Sequence, residues 1–99
     1  MTDKEKLVLR KNYAFLIKKL DPASIRLLLN AEGLLTDYEL AQVQAQSVAP
    51  AANELILAAL KRRAPGFLEK FCQVLEEEAA NQHIVDRLRE GKLTLLRLY

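Results

Sequence analysis

The scarcity and placement of helix-breaking residues constrain this chain more than any other feature. Three Gly and three Pro punctuate 99 residues, and five of the six, all but Gly66, sit where a helix could start or stop. Between them the apolar residues recur every three or four positions, the period of a helix that buries one face rather than the alternation of a strand. From Asp3 to Leu20 the positions Leu9, Tyr13, Leu16, Ile17 and Leu20 share one face. Asp21 then offers an N-cap oxygen, and Pro22 occupies the first helical position, where a missing N–H is harmless. The second helix turns Ile25, Leu28 and Leu29 inward. It ends at Gly33, with Leu34 placed to touch Leu29 beneath a left-handed cap.

Thr36 and Glu39 have the spacing of a capping box, and Leu35 before the cap can staple to Leu40. The third helix is short, ends near Gln46 and turns Leu40 and Val43 inward. Ser47 reads as the cap of a fourth helix, with Pro50 tolerated in its first turn. Ala52, Leu55, Ile56, Ala59 and Leu60 line its inner face. The break at Ala64-Pro65-Gly66 opens a fifth helix with the stripe Phe67, Leu68, Phe71, Val74 and Leu75. Asn81 caps a sixth, with Ile84, Val85 and Leu88 inward and Gly91 as its stop. The expectation is an all-α fold, a six-helix antiparallel bundle over residues 1–91. The apolar tail 92–99 can extend the last helix or dock on the bundle.

Charge is segregated along this framework. Residues 1–30 hold seven basic and three acidic side chains, residues 31–60 four acids and no Lys or Arg, and residues 61–99 eight basic and six acidic. The segments therefore carry +4, −4 and +2. Opposite charge on different faces lets a small protein bind copies of itself or close relatives head to tail, which is recognition rather than chemistry.

Several classes are set aside. A single Cys72 excludes an internal disulfide, and no Cys/His spacing suits a structural metal site, so a reducing cytoplasmic setting is expected. Cys72 lies on one face with Leu68 and Leu75 and reads as a small buried hydrophobe. No apolar run is long enough to span a membrane. Ser24 and Ser47 are explained as helix-start residues. One His and one Cys leave no nucleophile and base pair, and no Gly-rich phosphate loop occurs, so neither an enzyme nor a bound cofactor or small-molecule substrate is expected. His83 reads as a helix-surface residue, and Glu76-Glu77-Glu78 as a solvated helix end.

Leu9-Arg10-Lys11 on the first helix, the junction Glu32-Gly33-Leu34-Leu35-Thr36, the polar turn Gln44-Ala45-Gln46-Ser47, then Leu55-Ile56-Leu57 and Gly66-Phe67 with Phe71 and Leu75 together resemble a caspase recruitment domain. The resemblance covers residues 5–90. It implies a death-fold six-helix bundle, a cytosolic adaptor that binds other such domains or itself and polymerises into filaments in apoptosis or inflammation. In that family a basic surface of the first and fourth helices meets an acidic surface of the second and third. Carried over by position, Arg10, Lys11 and Lys18 are the basic candidates, and Glu32, Asp37 and Glu39 the acidic ones. On a straight helix Lys11 and Lys18 lie within about 20° of each other.

The chain departs from the family pattern in two places. The fourth helix opens Pro50-Ala51-Ala52-Asn53-Glu54 without a cation, and the second carries Arg26 and Leu27 where acids are usual. Lys61-Arg62-Arg63 sits only at the far end of the fourth helix, where its C-terminal dipole favours cations without any partner. Phe15 and Leu27 are candidate apolar contacts. On a straight helix Phe15 and Val8 face away from the core stripe, whereas a kink turns both inward. Two other readings stay open: a small nucleic-acid-binding domain using the first helix and Lys61 to Arg63, against which the cations are dispersed, and a death-fold relative of another subfamily. The Arg-x-Asp-Leu motif of the death-effector subfamily is missing from Asp86-Arg87-Leu88-Arg89.

Overall fold

Seven helices joined by short turns account for most of the computed structural model, which describes residues 1–98, with side chains as far as Leu93. They are α1 (Asp3–Lys11), α2 (Tyr13–Lys19), α3 (Pro22–Ala31), α4 (Asp37–Gln44), α5 (Ala49–Lys61), α6 (Phe67–Glu76) and α7 (Gln82–Leu98). A single 3-10 turn at Ala79–Asn81 leads into α7. Among the described residues there is no strand, and no helix is long and apolar enough to cross a membrane. Successive helices pack on one another, α3 on α4, α4 on α5 and α6 on α7. The globule closes through α1 on α7, α2 on α5 and α3 on α6.

The count is seven rather than six because the first expected helix breaks at Asn12. Asn12 leaves helical geometry (φ −105°, ψ 10°). Its Nδ2 donates to the Val8 carbonyl at 2.9 Å, alongside its own backbone N–H at 3.2 Å. A side-chain amide inserted at an i−4 carbonyl is a recognised cause of a bend. The bend turns Val8 into the core, 1% exposed, and half-buries Phe15.

The caps follow local chemistry. Thr36 and Glu39 form the expected capping box: the Glu39 N–H donates to Thr36 Oγ1 at 3.1 Å, and the Thr36 N–H donates to Glu39 Oε1 at 2.8 Å. The same pattern at Thr2 and Glu5 closes a box on α1 that went unread. Gly33, at φ 81°, builds the expected left-handed cap: the Leu34 N–H donates to the Leu29 carbonyl at 2.8 Å and the Gly33 N–H to that of Asn30 at 3.1 Å.

Other boundaries differ. Asp21 holds the N-cap position of α3, but its side chain makes no cap bond. Ser47 is not the cap of α5, which starts after Val48. α4 stops at Gln44, two residues early. Gly66, the last residue of the expected break before the fifth helix, is the N-cap of α6 at φ 93°. Gly91 does not stop α7, which runs through it to Leu98. A Cβ there would lie 3.5 Å from Val8 Cγ1 and 3.6 Å from Asn12 Nδ2, so α7 crosses α1 closely at this point. The tail therefore continues a helix, while its docking through side chains beyond Leu93 lies outside the described residues.

One apolar core runs through every helix. Leu9, Leu16, Ile25, Leu29, Leu34, Ile56, Leu60, Leu68, Phe71, Leu75, Val85 and Leu88 are all 1% exposed or less. Leu57, unassigned by the periodic stripe, is fully buried, whereas Leu28, expected inward, is 37% exposed. Cys72 is buried as expected.

Candidate interaction surface

The basic candidates stand in solvent but on two helices. Arg10 and Lys11 end α1 and Lys18 lies in α2, all exposed. The break at Asn12 separates them, so the straight-helix angle between Lys11 and Lys18 does not apply. Phe15 is not an exposed aromatic. It is half-buried, with the Arg87 guanidinium carbon 4.1 Å from its ring centroid and the His83 ring edge-on at 6.0 Å.

On the acidic side only two of the three candidates remain available. Glu32 is exposed as the C-cap of α3. Asp37 is exposed at the first position of α4, where the helix dipole favours it, and Asn30 Nδ2 donates to its Oδ1 at 3.0 Å. Glu39 is 8% exposed. Beyond its cap bond it accepts Arg62 Nη2 at 2.6 Å and Arg63 Nη2 at 3.1 Å. Burial alone raises its carboxyl, but the Thr36 N–H, Arg62, the Thr36 hydroxyl and Arg63 outweigh burial and hold it below the ordinary carboxylate range. Glu39 is thus a structural ion-pair centre, not part of an open acidic surface. The acids left available are Glu32 and Asp37, with Leu27 at 62% exposure on α3 and Tyr38 at 72% on α4, while Lys70 of α6 lines the same cleft as Glu32.

The same contact explains what Lys61-Arg62-Arg63 does. Arg62 and Arg63 bring positive charge onto the start of α4 and offset part of the −4 segment, while Lys61 stacks 5.5 Å from the Tyr13 ring centroid. Sequence segments divide at residue 60, but the fold superimposes their charges. Where cations are missing at the start of α5, Asn53 instead donates to the Ile17 and Leu20 carbonyls at 2.9 and 3.0 Å, closing the C-terminal end of α2.

Three contributors went unread in the sequence. Thr2-x-x-Glu5 repeats the Thr36-x-x-Glu39 signal and could have been found by it. Asn12 interrupts an apolar helical run, a weak mark of a bend. Nothing local marks Arg87, whose partners are Asn12 at the break between α1 and α2 and Phe15 on α2. Among the described residues no group of three or more His, Cys, Asp and Glu could hold a metal ion.

The arrangement is a helical globule with exposed cations at the α1–α2 corner and exposed acids at the α3–α4 junction. Comparison with protein-family models, curated proteins and solved structures yields no match to this chain.

Proposed function

We propose that this chain is a homotypic interaction module of the caspase recruitment type, which binds other such domains or copies of itself in cytosolic signalling of apoptosis or inflammation. The observation that carries the reading is the separation of unneutralised charge. Among the described residues Arg10, Lys11, Lys18 and Glu32 enter no ion pair. Surface charge without an internal counter-ion is available to a second molecule of opposite pattern. A contact between two different faces repeats from copy to copy, giving a ring or a helical filament. Exposed Leu27 on α3 and Tyr38 on α4 supply apolar area on the elements that carry the acids, of the kind interfaces commonly use.

The test is the size of the pure protein by sedimentation velocity across a salt series. The wild-type chain associates at low salt and dissociates as salt rises. Lys11→Glu and Asp37→Lys each weaken association, by on the order of 2 kcal/mol where the pair is desolvated, and mixing the two variants restores it. An unchanged size distribution for both variants overturns the reading.

A further inference from the structure

We infer that Arg87 anchors the basic face, as a preset guanidinium that receives a carboxylate from the Glu32–Asp37 face of a second copy of this chain. The inference rests on the proposed homotypic function for its partner, and adds a residue of α7 and a mode of contact.

Arg87 is exposed yet held in place. Its guanidinium carbon lies over the Phe15 ring, 4.1 Å from the centroid. Its Nε donates to Asn12 Oδ1 at 2.9 Å. Asn12 is itself fixed, buried with Nδ2 donating to the Val8 carbonyl. His83, one turn earlier on α7, closes another side of the Phe15 ring at an interplanar angle of 85°. The bend at Asn12 thus builds a platform on which one arginine of α7 rests.

The two terminal nitrogens of Arg87 make no hydrogen bond or ion pair among the described residues, whereas Arg62, Arg63 and Arg89 are all paired with glutamates. A guanidinium fixed at Nε presents its remaining N–H groups as a fork that matches the two oxygens of a carboxylate. Its rotamer freedom is already restricted, so binding has little left to order. Arginines of this kind, with an aromatic support, are characteristic interface anchors.

Charge selects the occupant. Lys11 adjoins Asn12 and Lys18 lies one turn beyond Phe15, so α1 and α2 bring cations to the platform, while Asp86 and Glu90 of α7 flank Arg87 along its own helix. The acids to meet Arg87 are present on every copy, since Glu32 and Asp37 are exposed and enter no ion pair, even though Arg62 and Arg63 reach the start of α4 and Lys70 lines the cleft beside Glu32. Arg87 also supplies the second-helix contribution to the basic face that the start of α5 does not.

The test uses Arg87→Lys and Phe15→Leu in the full chain, with self-association by sedimentation velocity and thermal melting measured in parallel. Arg87→Lys keeps the charge and loses the fork; it should weaken self-association by about tenfold, with the melting temperature lowered only slightly by loss of the Nε bond to Asn12. Phe15→Leu keeps an apolar side chain of smaller volume, removes the ring face and should act in the same direction. Unchanged association of Arg87→Lys overturns the inference, as does a loss that tracks a markedly lower melting temperature. If Lys11→Glu abolishes association and Arg87→Lys does not, the homotypic reading survives and this inference alone fails. A wild-type chain that stays monomeric at every concentration and salt overturns both. A short single-stranded RNA serves as a further probe: binding of RNA that depends on Arg87, without effect on self-association, assigns the fork to phosphates and overturns the carboxylate partner.

Discussion

The Glu5 carboxylate of α1 accepts the Leu68 N–H of α6 at 3.1 Å, so the residue that completes the first helix's own capping box also caps a helix sixty residues away. The same carboxylate accepts the Gly66 N–H. Glu39, which completes the other box, holds Arg62 and Arg63. The corner between α5 and α6 is therefore fastened at both ends by glutamates whose first duty is local. Each carboxylate couples a helix start to the tertiary fold, and losing one loosens both.

Acid is the first probe of these ties. Burial raises the Glu5 carboxyl, but bonds from the Thr2, Gly66 and Leu68 N–H groups outweigh it, and like Glu39 it sits below the ordinary 4.5. A carboxyl lowered in the folded state binds fewer protons there than in the unfolded chain. Its contribution is complete above the unfolded value and is lost as pH falls through the folded one. The urea midpoint is expected to be level from pH 7 to about 5.5 and to decline below about 4.5. Glu5→Gln, costing about 1–3 kcal/mol at pH 7, should flatten that decline; a decline of unchanged steepness counts against the tie.

Asn53 gives a second stability prediction. It is fully buried, and its amide closes two carbonyls at the end of α2. Asn53→Leu leaves both acceptors without their donor and should lower stability by about 1–3 kcal/mol in denaturant unfolding. Asn53→Asp should be worse, because it sets an acceptor against two acceptors. A neutral Asn53→Leu would show that water replaces the amide.

The glycines should respond in opposite directions. At Gly91 the backbone is helical and an added methyl meets Val8 and Asn12 at ordinary contact distance, so Gly91→Ala is expected to stabilise the fold by about 0.5–1 kcal/mol. Gly33 has φ 81° in the cap that ends α3, so Gly33→Ala is expected to destabilise by about 1 kcal/mol. Thermal melts of the two variants moving the same way would contradict the reading of one of the two positions.

Burial, with Glu69 adding to it, pushes the Cys72 thiol up to about 11. At neutral pH it is a thiol rather than a reactive thiolate. Iodoacetamide is expected to leave it unmodified in the folded protein and to label it rapidly in denaturant, as mass spectrometry reads directly. Fast labelling under native conditions would place Cys72 at a site that opens.

The elements legible from the chain were those set by neighbours in sequence. The Thr36–Glu39 box, the Gly33 turn and the apolar stripes of α5, α6 and α7 depend on three- and four-residue spacing, and all of them form. Boundaries that rested on a single residue type fared worse. Gly91 suggests a stop only if its missing side chain serves a turn, whereas here it serves the passage of α7 over α1. Leu28 fits the inner stripe of α3 by spacing, yet no helix covers it fully. The candidate surface was legible as charge and not as geometry. Glu39 looks like Asp37 in sequence, and only the return of α5 with Arg62 separates their roles. Arg87 was unreadable because its two partners sit more than seventy residues earlier.

The pairing of Arg62 and Arg63 with Glu39 has a kinetic side. Counter-charge held against an acid shortens the reach of its field, and at physiological salt what remains is screened within about 8 Å. If two copies associate as proposed, the charges left to guide them are the unneutralised Arg10, Lys11, Lys18, Glu32 and Asp37. Their steering is felt at low salt and falls toward the rate of nearly neutral surfaces, about 10⁵–10⁶ M⁻¹s⁻¹, at physiological salt. Growth of an assembly would therefore be governed by how long each encounter lasts, a quantity set by short-range fit around Leu27, Tyr38 and Asp37 rather than by attraction from afar.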